Sequence, residues 1–245
     1  MWVEEDPQTG HRACMVTFFP EFEADVSASR LEYHFVLDLS CSMDGEALDN
    51  AKKIVLASLV RLPEGAWFNI LAFGDLHTDL FPVARPKTTA TMQAATAFVT
   101  RARPTWGSTA LWRPLRSIFA MGHLAKTKNT DHLRAVFVVS DGLVQNEDVV
   151  LAAARAARGH TRVFTLGVGP NPAKHFLRSL ANLSGGSFEL FDASRKSKWE
   201  RKITTLVANA ARPGLTDIAI AWQQLDHDAP PPDQAPAHLS ALFYG

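Results

Sequence analysis

Along most of this chain, apolar runs of strand length alternate with longer stretches in which apolar residues recur at helical spacing. That alternation marks a mostly parallel sheet covered by helices, because parallel strands are buried on both faces while each crossover helix buries only one. Segments 33–39 (YHFVLDL), 67–74 (WFNILAFG), 133–141 (LRAVFVVSD), 161–169 (TRVFTLGVG) and 187–192 (SFELFD) predict strands, the third and fourth the most deeply buried. Between them, 45–62, 88–102, 110–123, 146–159 and 172–186 predict helices, and a sixth helix is predicted over 194–211. End signals agree: the run Leu62 to Gly65 closes the first helix, Asn146 is placed to cap the fourth, and Gly185 with Gly186 stops the fifth. The expectation is an α/β fold, doubly wound, with a mostly parallel six-stranded sheet and helices on both faces.

The two ends break this rhythm. Residues 13–24 (ACMVTFFPEFEA) alternate as an antiparallel strand would, ahead of the first α/β unit. At the other end 215–225 (LTDIAIAWQQL) reads as a strand, and 226–238 (DHDAPPPDQAPAH) has the proline-rich composition of a connector. Three parts are therefore expected: 1–28 as the end of a preceding module and its linker, 29–212 as the α/β domain, and 213–245 as a strand and connector toward a following module.

Composition narrows the classes of function. Among 245 residues, 25 are basic and 25 acidic. That balance argues against a general nucleic-acid binder, which needs an excess of Lys and Arg on one face. No apolar run approaches the roughly 18 residues that span a bilayer, so no membrane association is expected. Cys14 and Cys41 are too few for a disulfide framework. A reducing compartment follows, the cytoplasm first and the nucleus as the alternative.

The candidate chemistry sits where the strands end. In open parallel sheets, ligands lie beyond the carboxyl ends of the strands, near the point where strand order reverses. The strand FVLDL runs directly into Asp38, Ser40 and Ser42, spaced two apart, so an extended backbone turns all three side chains to one side. A carboxylate with hydroxyls is a hard donor set, suited to Mg2+, Mn2+ or Ca2+ and less suited to zinc. Taken alone, these residues have a second reading as caps of the helix after Gly45. Two distant segments weigh against it. Asp141 ends another apolar strand in AVFVVSDG, and Thr109 stands in a glycine-containing loop, PTWGSTALW, just before a helix. Two carboxylates brought to one sheet edge are costly to bury unless a cation neutralises them.

D-x-S-x-S after the first strand, the Thr of GST and the Asp of SDG resemble the metal-ion-dependent adhesion site of the von Willebrand factor type A family, a likeness covering residues 33 to about 210. The resemblance implies a Rossmann-like fold and a metal site in which Ser40, Ser42 and Thr109 are direct ligands while Asp38 and Asp141 act largely through water. It also implies a partner protein whose acidic side chain completes the coordination of a divalent cation, Mg2+ before Mn2+ or Ca2+. Segments LPEGAWFNILAFG, RPTWGSTALWRPL, VVSDGLVQNEDVV and WQQLDHDAPPPDQAPAHLSALF are similar to type A domains of the vault poly(ADP-ribose) polymerase kind, in which an inter-alpha-trypsin (VIT) module precedes the type A domain. HRACMVTFFPEF is similar to that junction, and a vault or other large intracellular assembly is the wider partner implied. No ADP-ribosyltransferase segment is seen, so this chain is not expected to be an enzyme.

Competing readings are weaker on the residues themselves. Asp38 stands where haloacid-dehalogenase-type phosphatases carry their nucleophile, yet those need a second acid two positions on, where this chain has Ser40. Cys41 lacks the basic surroundings of a reactive thiol. The GVGPNP loop (167–172) lacks the third glycine of a dinucleotide fingerprint and follows a late strand, which makes it a structural turn. The basic run 194–202 reads as a solvated helix face with Trp199 packed inward, and Trp106 and Trp112 flank Thr109 as packing for its loop. The remaining alternative to partner binding is a structural module whose metal only ties loops together.

Overall fold

A computed structural model describes residues 2–17, 31–105, 107–124, 133–158, 160–212, 214–215, 233 and 242–243. The chain opens with a hairpin of β1 (Trp2–Glu5) and β2 (Arg12–Met15), paired antiparallel. Its turn is built by Asp6, whose carboxylate accepts the Gln8 N–H and the Thr9 hydroxyl, and by Gly10 at φ 71°. The strand expected over 13–24 thus occupies Arg12–Met15, and its part beyond residue 17 lies outside the described residues. β1 was not expected, since WVEE carries no strand-like burial and all its residues are exposed.

The α/β units follow in order: β3 (Leu31–Asp38), α1 (Glu46–Arg61), β4 (Trp67–Phe73), β5 (His77–Asp79), β6 (Arg85–Pro86), α2 (Thr89–Arg101), α3 (Trp112–Leu124), β7 (Leu133–Ser140), α4 (Glu147–Ala156), β8 (Thr161–Gly167), α5 (Lys174–Ser184), β9 (Phe188–Leu190) and α6 (Trp199–Ala211). β10 (Gly214–Leu215) and β11 (Leu242–Phe243) form a small antiparallel pair. The central sheet runs β5-β4-β3-β7-β8-β9, with β6 joined to β4. β4, β3, β7, β8 and β9 are parallel, while β5 and β6 pair antiparallel with β4. The fold is therefore the expected doubly wound, mostly parallel sheet, with seven strands among the described residues rather than six because β6 adds to β4. Its edge strand is His77–Asp79, too short and polar to announce itself, and most of 215–225 lies outside the described residues.

Each face has its own core. Tyr33, Phe35 and Leu37 point to one side, under α1, α2 and α6, and Val36, Val136 and Val138 to the other, under α3, α4 and α5. On the first face the register that pairs Phe35 with Phe137 and Phe137 with Phe164 stacks the three rings, with centroids 5.1 and 5.2 Å apart. Burying each such ring contributes on the order of 2–3 kcal/mol, which makes this ladder a major anchor of the sheet. Trp199 packs inward as expected, edge-on to Phe191, with its indole N–H donating to the Asp192 carbonyl at 3.0 Å. The basic run around it is paired locally, Lys196 with Glu46 and Lys202 with Glu189. At α4 the cap reading needs correction: Asn146 occupies the cap position in the left-handed region at φ 57°, and its side chain makes no capping bond.

Candidate metal centre

The chain leaves β3 to form β4 on one side and crosses back to place β7 on the other, so the strand order reverses between β3 and β7. Asp38 ends β3 at this crevice. The register that pairs Leu37 with Val139 carries Asp38 level with Ser140, whose hydroxyl donates to Asp38 Oδ2 at 2.5 Å. The other oxygen, Oδ1, accepts the Ser40 N–H at 2.8 Å, which turns the chain sharply out of the strand. Ser40 is buried, Ser42 is exposed, and their hydroxyl oxygens stand 3.1 Å apart. Neither side chain caps a helix: the short 3-10 turn Cys41–Met43 has no side-chain cap, and α1 starts after Gly45 without one. The capping reading of this motif therefore fails.

Asp141 follows β7 directly and is buried. Its Oδ1 accepts the Leu143 N–H at 3.0 Å, and its carbonyl accepts the Ala173 N–H at 2.7 Å, which ties the loop to the start of α5. The GVGPNP turn closes over it. Gly169, at φ 91°, would bring a Cβ to 3.7 Å from the Asp141 Cβ and 3.8 Å from the Ala47 Cβ, so the turn threads between Asp141 and α1.

The loop bearing Thr109 is docked onto three strand ends by main-chain bonds. The Thr105 N–H donates to the Leu39 carbonyl (2.7 Å), the Ala110 N–H to Gly74 (2.9 Å) and the Gln145 N–H to the Thr109 carbonyl itself (3.1 Å). Thr109 is thus joined to the loop that carries Asp141. Trp106 lies outside the described residues, and Trp112, half-buried, opens α3 three positions after Thr109. Cys41 is exposed and its thiol points at the Thr105 carbonyl, 3.3 Å away.

Electrostatics sets this site apart. Burial pushes the Asp38 carboxyl up from 3.8 to about 6, hydrogen bonds from Ser140 and Ser40 pull it down, and the charge of Asp141 raises it further. No basic side chain is among the groups acting on it. Among the described residues no cluster of three or more His, Cys, Asp or Glu stands ready to hold a metal. A cation at this edge would accordingly rely on hydroxyl oxygens beside two acids, a donor set that fits a hard divalent ion. Ser140 was missed from sequence. Its signal was the alternation of VFVVS, which puts its side chain on the same face as Val136 and Val138 and, through the parallel register, beside Asp38.

An open α/β sheet with hydroxyl and carboxylate groups gathered at its switch point defines a Rossmann-like fold with a candidate cation site. The chain belongs to the von Willebrand factor type A domain family, whose description matches residues 32–190. It is 35% identical over 245 residues to human protein mono-ADP-ribosyltransferase PARP4, covering 99% of this chain and 14% of the human protein. Among solved structures it is similar to a von Willebrand factor type A protein from Catenulispora acidiphila, with TM-score 0.64, 18% identity, and coverage of 76% of this chain and 44% of that one. It is also similar to proximal thread matrix protein 1 from the mussel byssus with a zinc-occupied MIDAS motif, with TM-score 0.55, 20% identity, and coverage of 73% and 46%. The chain thus spans about one-seventh of the human relative's length.

Proposed function

We propose that this chain is a divalent-cation-dependent protein-binding module, in which Ser40, Ser42 and Thr109 contact the ion and Asp38 and Asp141 hold it largely through water. The observation that carries this reading is the pair of buried carboxylates at the switch point, with no basic side chain acting on Asp38. Two like charges in that position favour a cation from outside. With mainly neutral hydroxyls in direct contact, the ion would keep much of its charge and attract a carboxylate from a partner protein. Mg2+ is the first choice, with Mn2+ and Ca2+ next. The mussel protein's MIDAS motif takes zinc, so the hardness of the donors ranks metals without excluding that one.

A purely structural ion is the weaker reading. The bonds from Thr105 to Leu39, Ala110 to Gly74 and Gln145 to Thr109 already tie the loops together without a metal. The proposal extends to context. The module belongs to a larger cytoplasmic protein, with the end of a VIT-like module and its linker (1–28) before it and a strand and connector toward a following module (213–245) after it, and a large assembly such as the vault is a candidate partner. It performs no catalysis itself. Calorimetric titration of Mg2+ into the wild type and into Asp38→Ala tests the site: heat is expected from the first only, and equal heats would refute the assignment. Loss of partner capture in chelator with the thermal midpoint nearly unchanged is the expected mark of a binding role; a collapse of the midpoint with capture intact would favour the structural one.

A further inference from the structure

Beside the candidate site, the exposed ridge of α3 has a groove along each flank. Toward the β4–β5 hairpin a groove of about 460 Å³ is lined by Leu76, His77, Trp112, Arg113 and Arg116, among others. Toward α4 a second, of about 300 Å³, includes Phe119, Val149 and Ala153, and Trp112, Arg116 and Ala120 border both. Leu76 is 68% exposed and Val149 54%, so large apolar side chains stand open to solvent on both sides of the ridge.

Charge points the same way. The guanidinium of Arg113 lies over the Trp112 ring, 5.1 Å from its centroid, and its Nε is buried with no hydrogen-bond partner. Among the described residues neither Arg113 nor Arg116 has a carboxylate at ion-pair distance. An arginine packed against tryptophan in an apolar groove is the composition of a protein-binding anchor. A phosphate backbone would ask for more cations and fewer exposed aliphatic side chains.

The first groove is linked through the main chain to the loop that carries Thr109. The Ala110 N–H bonds the Gly74 carbonyl and the Gly74 N–H bonds the Leu76 carbonyl, so the hairpin tip is fastened to the loop carrying Thr109. We infer that α3 and the β4–β5 hairpin dock an acidic segment of the partner protein. One apolar side chain of that segment sits against Leu76 and Trp112, and its carboxylates pair with Arg113 and Arg116. The same segment presents a further carboxylate to the cation, a step that rests on the function proposed above.

A peptide library displayed on phage, selected on the whole chain in Mg2+, tests this. The enriched peptides are then titrated into the wild type, the double variant Arg113→Glu with Arg116→Glu, and Asp38→Ala. Enrichment of Asp- and Glu-rich sequences containing an apolar residue is expected. Their affinity should fall about tenfold or more in the double variant while its Mg2+ heat stays unchanged. If the double variant fails to fold, Arg116→Ala on the exposed face, with a smaller loss, takes its place. Peptides that bind the double variant as tightly as the wild type, yet are lost in chelator and in Asp38→Ala, overturn the docking surface and leave the metal reading standing. Peptides that need the arginines but ignore chelator and Asp38→Ala keep the surface and overturn the shared carboxylate. Enrichment of neutral or basic sequences, or of none, overturns both.

Discussion

The two edges of the central sheet handle buried charge in opposite ways. At the amino edge, Glu32 and His34 on β3 share a face with Arg134 on β7, and Glu32 Oε2 lies 3.4 Å from His34 Nε2 and 3.6 Å from Arg134 Nε. Arg134 has a side-chain exposure of 3%, so this buried cation is answered by a carboxylate of the same chain, which also faces the buried His34 ring. At the carboxyl edge, Asp38 meets Asp141, and no such answer is supplied. An internally paired cluster is a structural solution, whereas the unanswered pair of like charges is the feature on which the proposed cation site rests. The same strand, β3, supplies both.

That contrast can be broken most directly at the amino edge. Glu32→Ala should leave Arg134 and His34 without their carboxylate and cost about 3–5 kcal/mol, read from urea unfolding, with Mg2+ binding of the surviving folded fraction unchanged. A loss below about 1 kcal/mol would mean the cluster is no ion pair in energetic terms. At the carboxyl edge the sign reverses. Asp38 has its carboxyl raised from 3.8 to about 6 in the folded state, so the fold binds its proton more tightly than the unfolded chain does. Its contribution is therefore fully present below about pH 4 and is lost as pH rises through about 6, a difference of roughly 3 kcal/mol. Because other carboxylates titrate too, the measurement is the difference between the wild type and Asp38→Asn in chelator. The variant should be the more stable of the two at pH 7, and added Mg2+ should narrow the gap. A variant less stable than wild type at neutral pH would show that Asp38 sits comfortably without an ion.

Smaller effects sharpen the comparison. Ser140→Ala removes the hydroxyl that bridges Asp38 Oδ2 and the Gly142 N–H. It should cost about 1.5–3 kcal/mol at pH 7 and less at pH 4, where Asp38 is protonated. Thr109→Ala should change stability by only about 0.5 kcal/mol, since its loop is held by main-chain bonds, yet weaken Mg2+ binding about tenfold or more. Equal Mg2+ affinity in this variant would remove Thr109 from the coordination set.

Much of the fold was legible because its signals are local. β3, β4, β7 and β8 are near-continuous apolar runs, and the helices between them carry one apolar face each. The edge strands β5 and β6 were not legible: HTD and RP are polar and short, and they become strands only because β4 offers them an open edge. At the candidate site, Asp38, Ser40, Ser42, Thr109 and Asp141 stood out by spacing and by resemblance to a family motif. Ser140 did not, because its partner, Asp38, is 102 positions away.

By itself, then, the sequence determined the alternation of buried strand and crossover helix and the residue types at the strand ends, since both depend on periodicity and side-chain chemistry within short segments. Only the tertiary structure decided that β7 lies beside β3, that Gly169 closes over Asp141, and that one edge of the sheet neutralises its buried charges while the other does not. These are matters of register and crossover between distant segments, and Coulomb energy depends on distance in space, which no local pattern records.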